Sequence, residues 1–438
     1  MIVSIDWLKD YIDIDIPLEE LAEKLTVAGL ECVLKEAGKS VPAGVVVGRV
    51  LDKKAHPDAD SLSVCTVDIG SGDPLNIVCG APNVAAGQIV PLATIGTYLR
   101  PDFQIKKATL RGIESQGMIC AEDELGLGSD HAGIMVLSDD HQVGAPFSDY
   151  FPSHKVLDID ITANRPDAMS HWGVAREIAA ITGKTFRRAP VRLEEKGPDI
   201  HSLARVTVAA PEGCPRYTAR VIEGVHIAPS PAWLRERLEA CGLRSINNVV
   251  DASNYVLMET GHPLHTFDFD KLEGKMINVR FAVAGEKFET LDHKERELSA
   301  DMLLICDEKK PLALAGIMGG TLSEVDEHTV SVLIESAYFD PATIRKGSKQ
   351  EQISTDASKR FERGTDPNGT LAYAQDRLAS LILELAGGTL AKGLIDFYPN
   401  PVDAREVTLH ADYVKGVTGI GITIPECRPI LTALGFEP

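Results

Sequence analysis

The chain has 438 residues, 44% of them hydrophobic and 25% charged, and its 64 acidic against 44 basic side chains give a formal net charge of -20. That length exceeds what one hydrophobic core usually organises, so two to four domains are expected. No apolar run approaches the roughly 20 residues of a bilayer span, so no membrane partner is expected. The acidic balance repels a phosphate backbone, and nucleic-acid binding would need local basic sites or a partner chain.

The opening residues, MIVSIDWLKDYIDID, place acidic side chains where an export signal carries basic ones, and a cytoplasmic location is expected. Cys32, Cys65, Cys79, Cys120, Cys214, Cys241, Cys306 and Cys427 form no CxxC pair, which argues against zinc and redox motifs and for buried thiols.

Two helical patterns come first, one around Ile5 to Ile12 and one opened by Pro17, with Leu18, Leu21, Leu25 and Ala28 at helical spacing and Gly29 as the stop. Their apolar faces need a partner. VLDIDITANRPDAMSHWGVAREIAAITG supplies one: a strand, a turn at 164–167 and a helix ended by Gly183. The spacing predicts a small discontinuous domain, residues 1–40 and 151–195, interrupted by an insertion at 41–150. The insertion is rich in short β-type runs, VVVGRVL, LSVCTVDIG, LNIVCGAP and QIVPLATIG, which suit a small antiparallel barrel. Between Val45 and Tyr150 stand seven Lys and Arg against fourteen Asp and Glu, a net charge of -7. Lys106, Lys107 and Arg111 are its most basic cluster; solvated charge and a contact with RNA are both open readings.

Residues 184–201 read as a connector to a mixed α/β domain at 200–398. Ser230, Pro231 and Gly242 frame a helix with Leu234, Leu238 and Cys241 on one face. Next come the strand-like runs INVRFAV, ELSADMLLICD, PLALAGIMG and SVLIESAYF, and then a helix carrying Leu371, Ala374, Leu378, Leu381, Ile382 and Leu385. Residues 401–438 are too few to bury a core of their own.

In NNVVDASNYVLMETGHPLHTFD, apolar residues alternate with Asn247, Asn248, Asp251, Ser253 and Asn254, which reads as a pocket wall. The Gly261-His262-Pro263 step is expected to break regular structure and to present His265 on an irregular segment. His265 can serve as a proton acceptor near neutral pH or only hold the turn. Glu335 interrupts an apolar strand and is expected at a strand end facing solvent unless a specific partner requires it. Arg360 and Arg363 are open to two readings, RNA contact or pairing with Asp356, Glu362 or Asp366. Dispersed Ser, Cys and Asp residues identify no nucleophile and base pair.

The runs SNYVLMETGHPLHTFD, LALAGIMGG, LIESA and TDASKRFERG, in this order, resemble the editing region of the bacterial phenylalanyl-tRNA synthetase beta-subunit family. HPDADSLSVCTVDIG, IVCGAPNV and RGIESQGMICAEDELGL resemble the tRNA-binding OB-fold module of several synthetases and their accessory proteins. The similarity runs from Met1 to Pro438. It implies an α+β multidomain chain: an OB-fold barrel inserted in a small α/β domain, an editing domain of the B3/B4 type, and the start of a truncated B5-type domain in an N-terminal fragment.

The resemblance further implies hydrolysis of tyrosine mischarged onto tRNA(Phe). Glu335 would accept the tyrosine hydroxyl, and His265 would position water or the terminal ribose. Ser253, Asn254, Ala315, Gly316, Thr355 and Ala357 would surround the pocket, Ser253 standing where some relatives are expected to carry threonine. Lys106, Lys107, Arg111 and Arg360 are candidate tRNA contacts from their local charge, not from the resemblance. Aminoacylation would belong to an alpha subunit in an assembly of two alpha and two beta chains. No cofactor is expected in this fragment; ATP and magnesium would serve the parent ligase, with the magnesium ligands beyond residue 438. The competing reading is a non-catalytic module for tRNA binding and subunit assembly.

Overall fold

A computed structural model describes residues 1–38, 41–128, 130–151 and 153–438. The boundary drawn at residue 40 lies outside the described residues. The chain divides into two units, Met1–Lys35 with Lys155–Pro438, and Glu36–His154.

The Glu36–His154 unit is built on a five-stranded antiparallel sheet in the order Gly117–Ile119, Ile89–Thr94, Val45–His56, Ala59–Asp68 and Leu75–Cys79. A register shift between Val50 and Asp52 bends the longest strand, as a bulge does where a sheet must curl. The curl brings the outer strands together, and the Gln116 amide donates to the Asn76 carbonyl at 2.8 Å, so the barrel is nearly closed. Val50, Cys65, Val67, Ile77, Val90 and Leu92 fill its interior. On the surface, strands Ala108–Leu110 and Ile113–Ser115 form a hairpin. Its two loop residues, Arg111 and Gly112, both have positive φ (43° and 84°), the requirement of a tight two-residue turn matched to sheet twist.

In the other unit a sheet runs Glu195–Asp199, Thr389–Lys392, Arg216–Glu223, Ser331–Tyr338 and Leu264–Asp268, with Ile395–Phe397 also paired to Arg216–Glu223. Both faces are covered. Val332 and Ile334 point into one apolar core with Val249, Val256 and Leu378, while Leu333 and Ala337 point into a second with Val279, Leu304 and Leu314. The second core includes a five-stranded sheet in the order Arg205–Val208, Met276–Phe281, Leu303–Cys306, Pro311–Leu314 and Met318–Gly319.

The first core also contains Val3, Ile5, Leu21 and Leu25 from the N-terminus and Leu157, Val174 and Ile178 from the segment after the insertion. The small domain expected at 1–40 and 151–195 therefore shares its interior with the mixed α/β domain at 200–398. Trp7 is the joint: its ring stacks on His171 at 3.9 Å and on Tyr255 at 4.3 Å. The His171 imidazole accepts from the Ser4 amide and donates to the Met258 carbonyl, so both nitrogens are satisfied and burial holds it neutral, down to about 3. Nearby, Tyr11 donates to the buried Glu259 at 2.6 Å and Arg377 to its second oxygen at 3.0 Å, which compensates a carboxylate that would be costly to bury unpaired.

Two expectations are corrected. Residues 184–201 are not only a connector: strand Glu195–Asp199 lies at the edge of the large sheet, where Pro198 costs no ladder bond, and helix Ile200–Leu203 comes directly after it. The expected pocket wall is the helix Asn248–Thr260, and its polar residues serve the fold. Asn247 caps the helix by accepting from the Val249 and Val250 amides; Asn248 bridges the carbonyls of His226 and Leu385 and the Ala228 amide; Asp251 accepts from Ser230 and the Ile246 amide. Asn248 and Asp251 are buried because they are paired within the chain. Helices Ala411–Thr418 and Ile424–Ala433 end the chain and leave Tyr413, Val417, Ile430 and Phe436 exposed.

Candidate functional site

His265 does not lie on an irregular segment. Gly261 ends the helix Asn248–Thr260 at φ 81°, His262 and Pro263 turn the chain, and His265 falls within the strand Leu264–Asp268. The Ser253 hydroxyl donates to the Leu264 carbonyl at 3.2 Å and fixes where that strand begins. The strand pairs antiparallel with Ser331–Tyr338, in a register that sets His265 directly against Glu335. On its other side Glu335 is paired with Ala219. Residues opposed in this way present their side chains on one face, so the imidazole, the carboxyl group and a small methyl share a row.

The solvent-facing expectation for Glu335 is corrected: it sits inside the strand at 5% exposure. An ordinary half-buried strand would have shown alternation, but Ser331–Tyr338 is covered on both faces, and the carboxyl group takes an interior position between Leu333 and Ala337. Tyr217, fully buried, reaches diagonally from Arg216–Glu223 and donates its hydroxyl to Glu335 Oε2 at 2.9 Å. No basic side chain pairs with Glu335 among the described residues. Burial pushes its carboxyl up to about 7, with the Tyr217 hydrogen bond pulling the other way. Oε1 has no protein donor among the described residues.

The sheet row opens on a cavity of about 90 Å³ whose lining includes His265, Glu335, Ile305, Gly316, Gly319 and Ala357. Glycine is needed at two of these positions for different reasons. Gly316 has φ +65°, and a Cβ there would stand 2.9 Å from both Phe339 and Phe361. A Cβ on Gly319 would stand 2.9 Å from His265 Cε1, so its absence makes room for the imidazole. The ring of His265 packs edge-on against Phe267 at 4.5 Å, and its nitrogens have no hydrogen-bond partner among the described residues. Burial pushes the imidazole down to about 4, so it is neutral at pH 7 and keeps one nitrogen lone pair.

Of the remaining expected pocket residues, Gly316 and Ala357 line the cavity, whereas Ser253, Asn254, Ala315 and Thr355 do not. Ser253 and Asn254 belong to the helix behind the strand. Ala315 is buried with its amide on the Leu303 carbonyl. Thr355 caps helix Asp356–Phe361 and donates to the Ile317 carbonyl at 2.9 Å, tying that helix to the glycine turn. Tyr217 was not anticipated. A tyrosine 118 positions before its partner carries no local signal, whereas Gly319, open to reading as a close backbone approach or a tight turn, makes the close approach to His265.

Of the two readings of Arg360, the structure shows the pairing with Asp356. It is 2% exposed, and its guanidinium donates to the Met169 carbonyl and to the Asp356 carbonyl and side chain. Lys106, Lys107 and Arg111 are exposed in the other unit, with Lys107 paired to Glu114 at 2.8 Å. Among the described residues no group of three His, Cys, Asp or Glu side chains is placed to hold a metal ion, and no helix is long and apolar enough to cross a membrane.

A nearly closed β-barrel combined with a two-sheet domain that buries a carboxyl group beside an imidazole defines a class. The family description "B3/4 domain" matches residues 213–387 and "Putative tRNA binding domain" matches 45–146, the modules of an aminoacyl-tRNA synthetase chain. The phenylalanine-tRNA ligase beta subunit of Salinibacter ruber is 48% identical over 454 residues, covering 100% of this chain and 54% of that protein. That of Syntrophus aciditrophicus is 48% identical over 440 residues with the same two coverages. The crystal structure of an N-terminal fragment of the phenylalanyl-tRNA synthetase beta subunit from Pyrococcus horikoshii shares 16% identity at a TM-score of 0.32, over 65% of this chain and 78% of that one. The chain belongs to the phenylalanine-tRNA ligase beta-subunit family and spans about half the length of the curated relatives it matches.

Proposed function

We propose that the chain carries an editing site that hydrolyses the ester of tyrosine mischarged onto tRNA(Phe). The observation that carries this reading is Glu335: a carboxyl group inside an apolar sheet, without a cation among the described residues, with one oxygen held by Tyr217 and the other left to a cavity that His265 also lines. An apolar pocket rejects an isostere with an added hydroxyl poorly, by about a hundredfold in the comparable valine and threonine case, so a second site must select for that hydroxyl. Glu335 Oε1 supplies the acceptor. Phenylalanine in the same place would leave it desolvated and unpaired, at a cost of about 1 to 3 kcal/mol.

The hydrolysis is water-mediated. Water adds to the ester carbonyl carbon and gives up a proton, for which the neutral His265 imidazole is the acceptor in reach of the cavity. The carbon–oxygen bond to the ribose then breaks, the ribose oxygen takes a proton back, and tyrosine and tRNA(Phe) leave.

Formation of phenylalanyl-tRNA is assigned to the whole ligase in the cytoplasm: an alpha subunit in an assembly of two alpha and two beta chains, with ATP and magnesium serving that ligase and the magnesium ligands beyond residue 438. Incubating the purified chain with tyrosyl-tRNA(Phe) and following release of tyrosine tests the proposal. Release should exceed the spontaneous rate and fall in Glu335→Ala. Binding of tRNA with no release would instead favour a non-catalytic tRNA-binding and assembly module.

A further inference from the structure

A second cavity, about 320 Å³, lies in the Met1–Lys35 with Lys155–Pro438 unit, and its lining includes Trp172, Arg176, Phe186, Arg188, His262 and Thr365. It is distinct from the cavity beside Glu335, and neither His265 nor Glu335 lines it. Its size is that of a small-ligand site.

The hydrogen-bonding inventory of its walls is unbalanced. Trp172 Nε1, Arg176 Nε, both ring nitrogens of His262 and Thr365 Oγ1 are buried without a partner among the described residues. Trp172 is 6% exposed and His262 1%. Such groups are normally satisfied, and five of them on residues that line one cavity point to an occupant or to bridging water. The two carboxylates in the wall are already engaged. Asp167 accepts from Arg165 and Arg176, and Asp366 accepts from the amides of Asn368, Gly369 and Thr370. What remains open is mostly donor capacity: an indole N–H and a guanidinium N–H, which can only donate, a hydroxyl, and one imidazole nitrogen. Arg188 adds a charge at the mouth. It is exposed, has no carboxylate partner among the described residues, and stacks over the rings of Trp172 at 5.0 Å and Phe186 at 6.0 Å.

We propose that this cavity binds a small organic phosphate bearing a flat ring, of the nucleoside monophosphate class. A phosphate offers acceptors to several donors at once, and aromatic walls with a planar guanidinium suit a ring. A free amino acid fits less well, because with both carboxylates taken its ammonium group would meet only neutral acceptors, the Thr365 hydroxyl and one His262 nitrogen, among the unpartnered groups. The inference does not depend on ester hydrolysis at the other cavity, and the two can fail separately.

Calorimetric titration of the 438-residue chain with AMP, adenosine and inorganic phosphate tests it. AMP should bind saturably at one site, with adenosine weaker by about tenfold or more because the charge-assisted bonds are lost. Arg188→Ala, at an exposed position, should weaken AMP by about tenfold, and Trp172→Phe, which keeps a ring and removes the N–H, by roughly threefold. A short RNA with a terminal phosphate separates the sources: tighter binding than AMP identifies an RNA end, weaker binding a free nucleotide. The proposal is overturned if AMP shows no saturable binding, if adenosine binds as tightly as AMP, or if Arg188→Ala and Trp172→Phe both leave AMP binding unchanged.

Discussion

His265 and Glu335 are direct cross-strand partners, one on Leu264–Asp268 and the other on Ser331–Tyr338, with Tyr217 bonded to the carboxyl group from the strand beyond. Because the row lies on a sheet covered on both faces, its two polar groups, and Tyr217 diagonal to them, are held by backbone register as much as by packing. The chemistry proposed for the cavity depends on that row.

Replacing Glu335 should change selectivity more than fold. Glu335→Ala is expected to reduce the preference for tyrosine over phenylalanine by about 1.5 to 3 kcal/mol, the range of a hydrogen bond to a charged group. Glu335→Gln, which keeps an acceptor oxygen, should lie between. Relative deacylation of tyrosyl- and phenylalanyl-tRNA(Phe) measures this, and unchanged selectivity in a folded Glu335→Ala protein would sink the assignment.

Tyr217→Phe removes the only protein hydrogen bond to the Glu335 carboxyl among the described residues, and that bond opposes the rise caused by burial. The carboxyl should then titrate above 7, and the pH at which tyrosine selectivity is half-developed should move up. A pH profile of tyrosyl-tRNA(Phe) deacylation that keeps its wild-type midpoint would contradict the role given to Tyr217.

The two glycines of the cavity should respond differently to a methyl group. Gly319→Ala crowds His265 at Cε1 and should depress deacylation while the chain stays folded. Gly316→Ala meets two packed phenyl rings and a left-handed backbone, so it should lower stability by about 1 to 3 kcal/mol. Melting temperature and deacylation rate, measured on both variants, separate the effects; equal losses in both measures would mean that Gly319 serves only the fold.

Stability should fall on both sides of an intermediate pH for identifiable reasons. His265, His171 and His262 are held neutral by burial, down to about 4, 3 and 3, against an ordinary 6.5. Below 6.5 the unfolded chain binds protons that the folded chain does not, so stability is lost as pH falls from 6.5 toward 4. Glu335 works in the opposite sense. Its folded value of about 7 exceeds the ordinary 4.5, so its stabilising proton is present below 4.5 and lost as pH rises to 7. That difference is worth on the order of 3 kcal/mol. Glu335→Gln should therefore melt higher than wild type at pH 8, with the gap closing toward pH 4.5; a gap that is constant with pH would mean that Glu335 is not the titrating group.

Helix ends were legible because their signals are local. Gly183 takes φ 71° at the end of His171–Thr182, and helix Leu18–Val27 starts after Pro17 and stops before Gly29. The barrel was legible because its strand-like runs are separated by turn residues. The site was legible only in part. His265 and Glu335 stood out as polar residues among apolar ones, but their pairing depends on a register between segments 70 residues apart. Double-sided burial erased the alternation that would have shown which way Glu335 points. Asn248 and Asp251 misled in the other direction, since a polar residue engaged by backbone groups has the same one-letter code as one awaiting a ligand. For Arg360 the local pairing with Asp356 was legible as one of two readings, because its partner lies four positions away.

The strand Ile2–Ser4 finds its partner at Val156 to Asp158, and Trp7 finds one of its stacking rings only at Tyr255. On a ribosome, at roughly 5 to 20 residues per second, the first segment leaves the exit tunnel many seconds before either partner exists. The barrel between them is complete within itself and can close during that interval. The N-terminal helices must wait with Leu21 and Leu25 uncovered, which makes this stretch, rather than the barrel, the place where a nascent chain would engage a chaperone or a neighbouring copy.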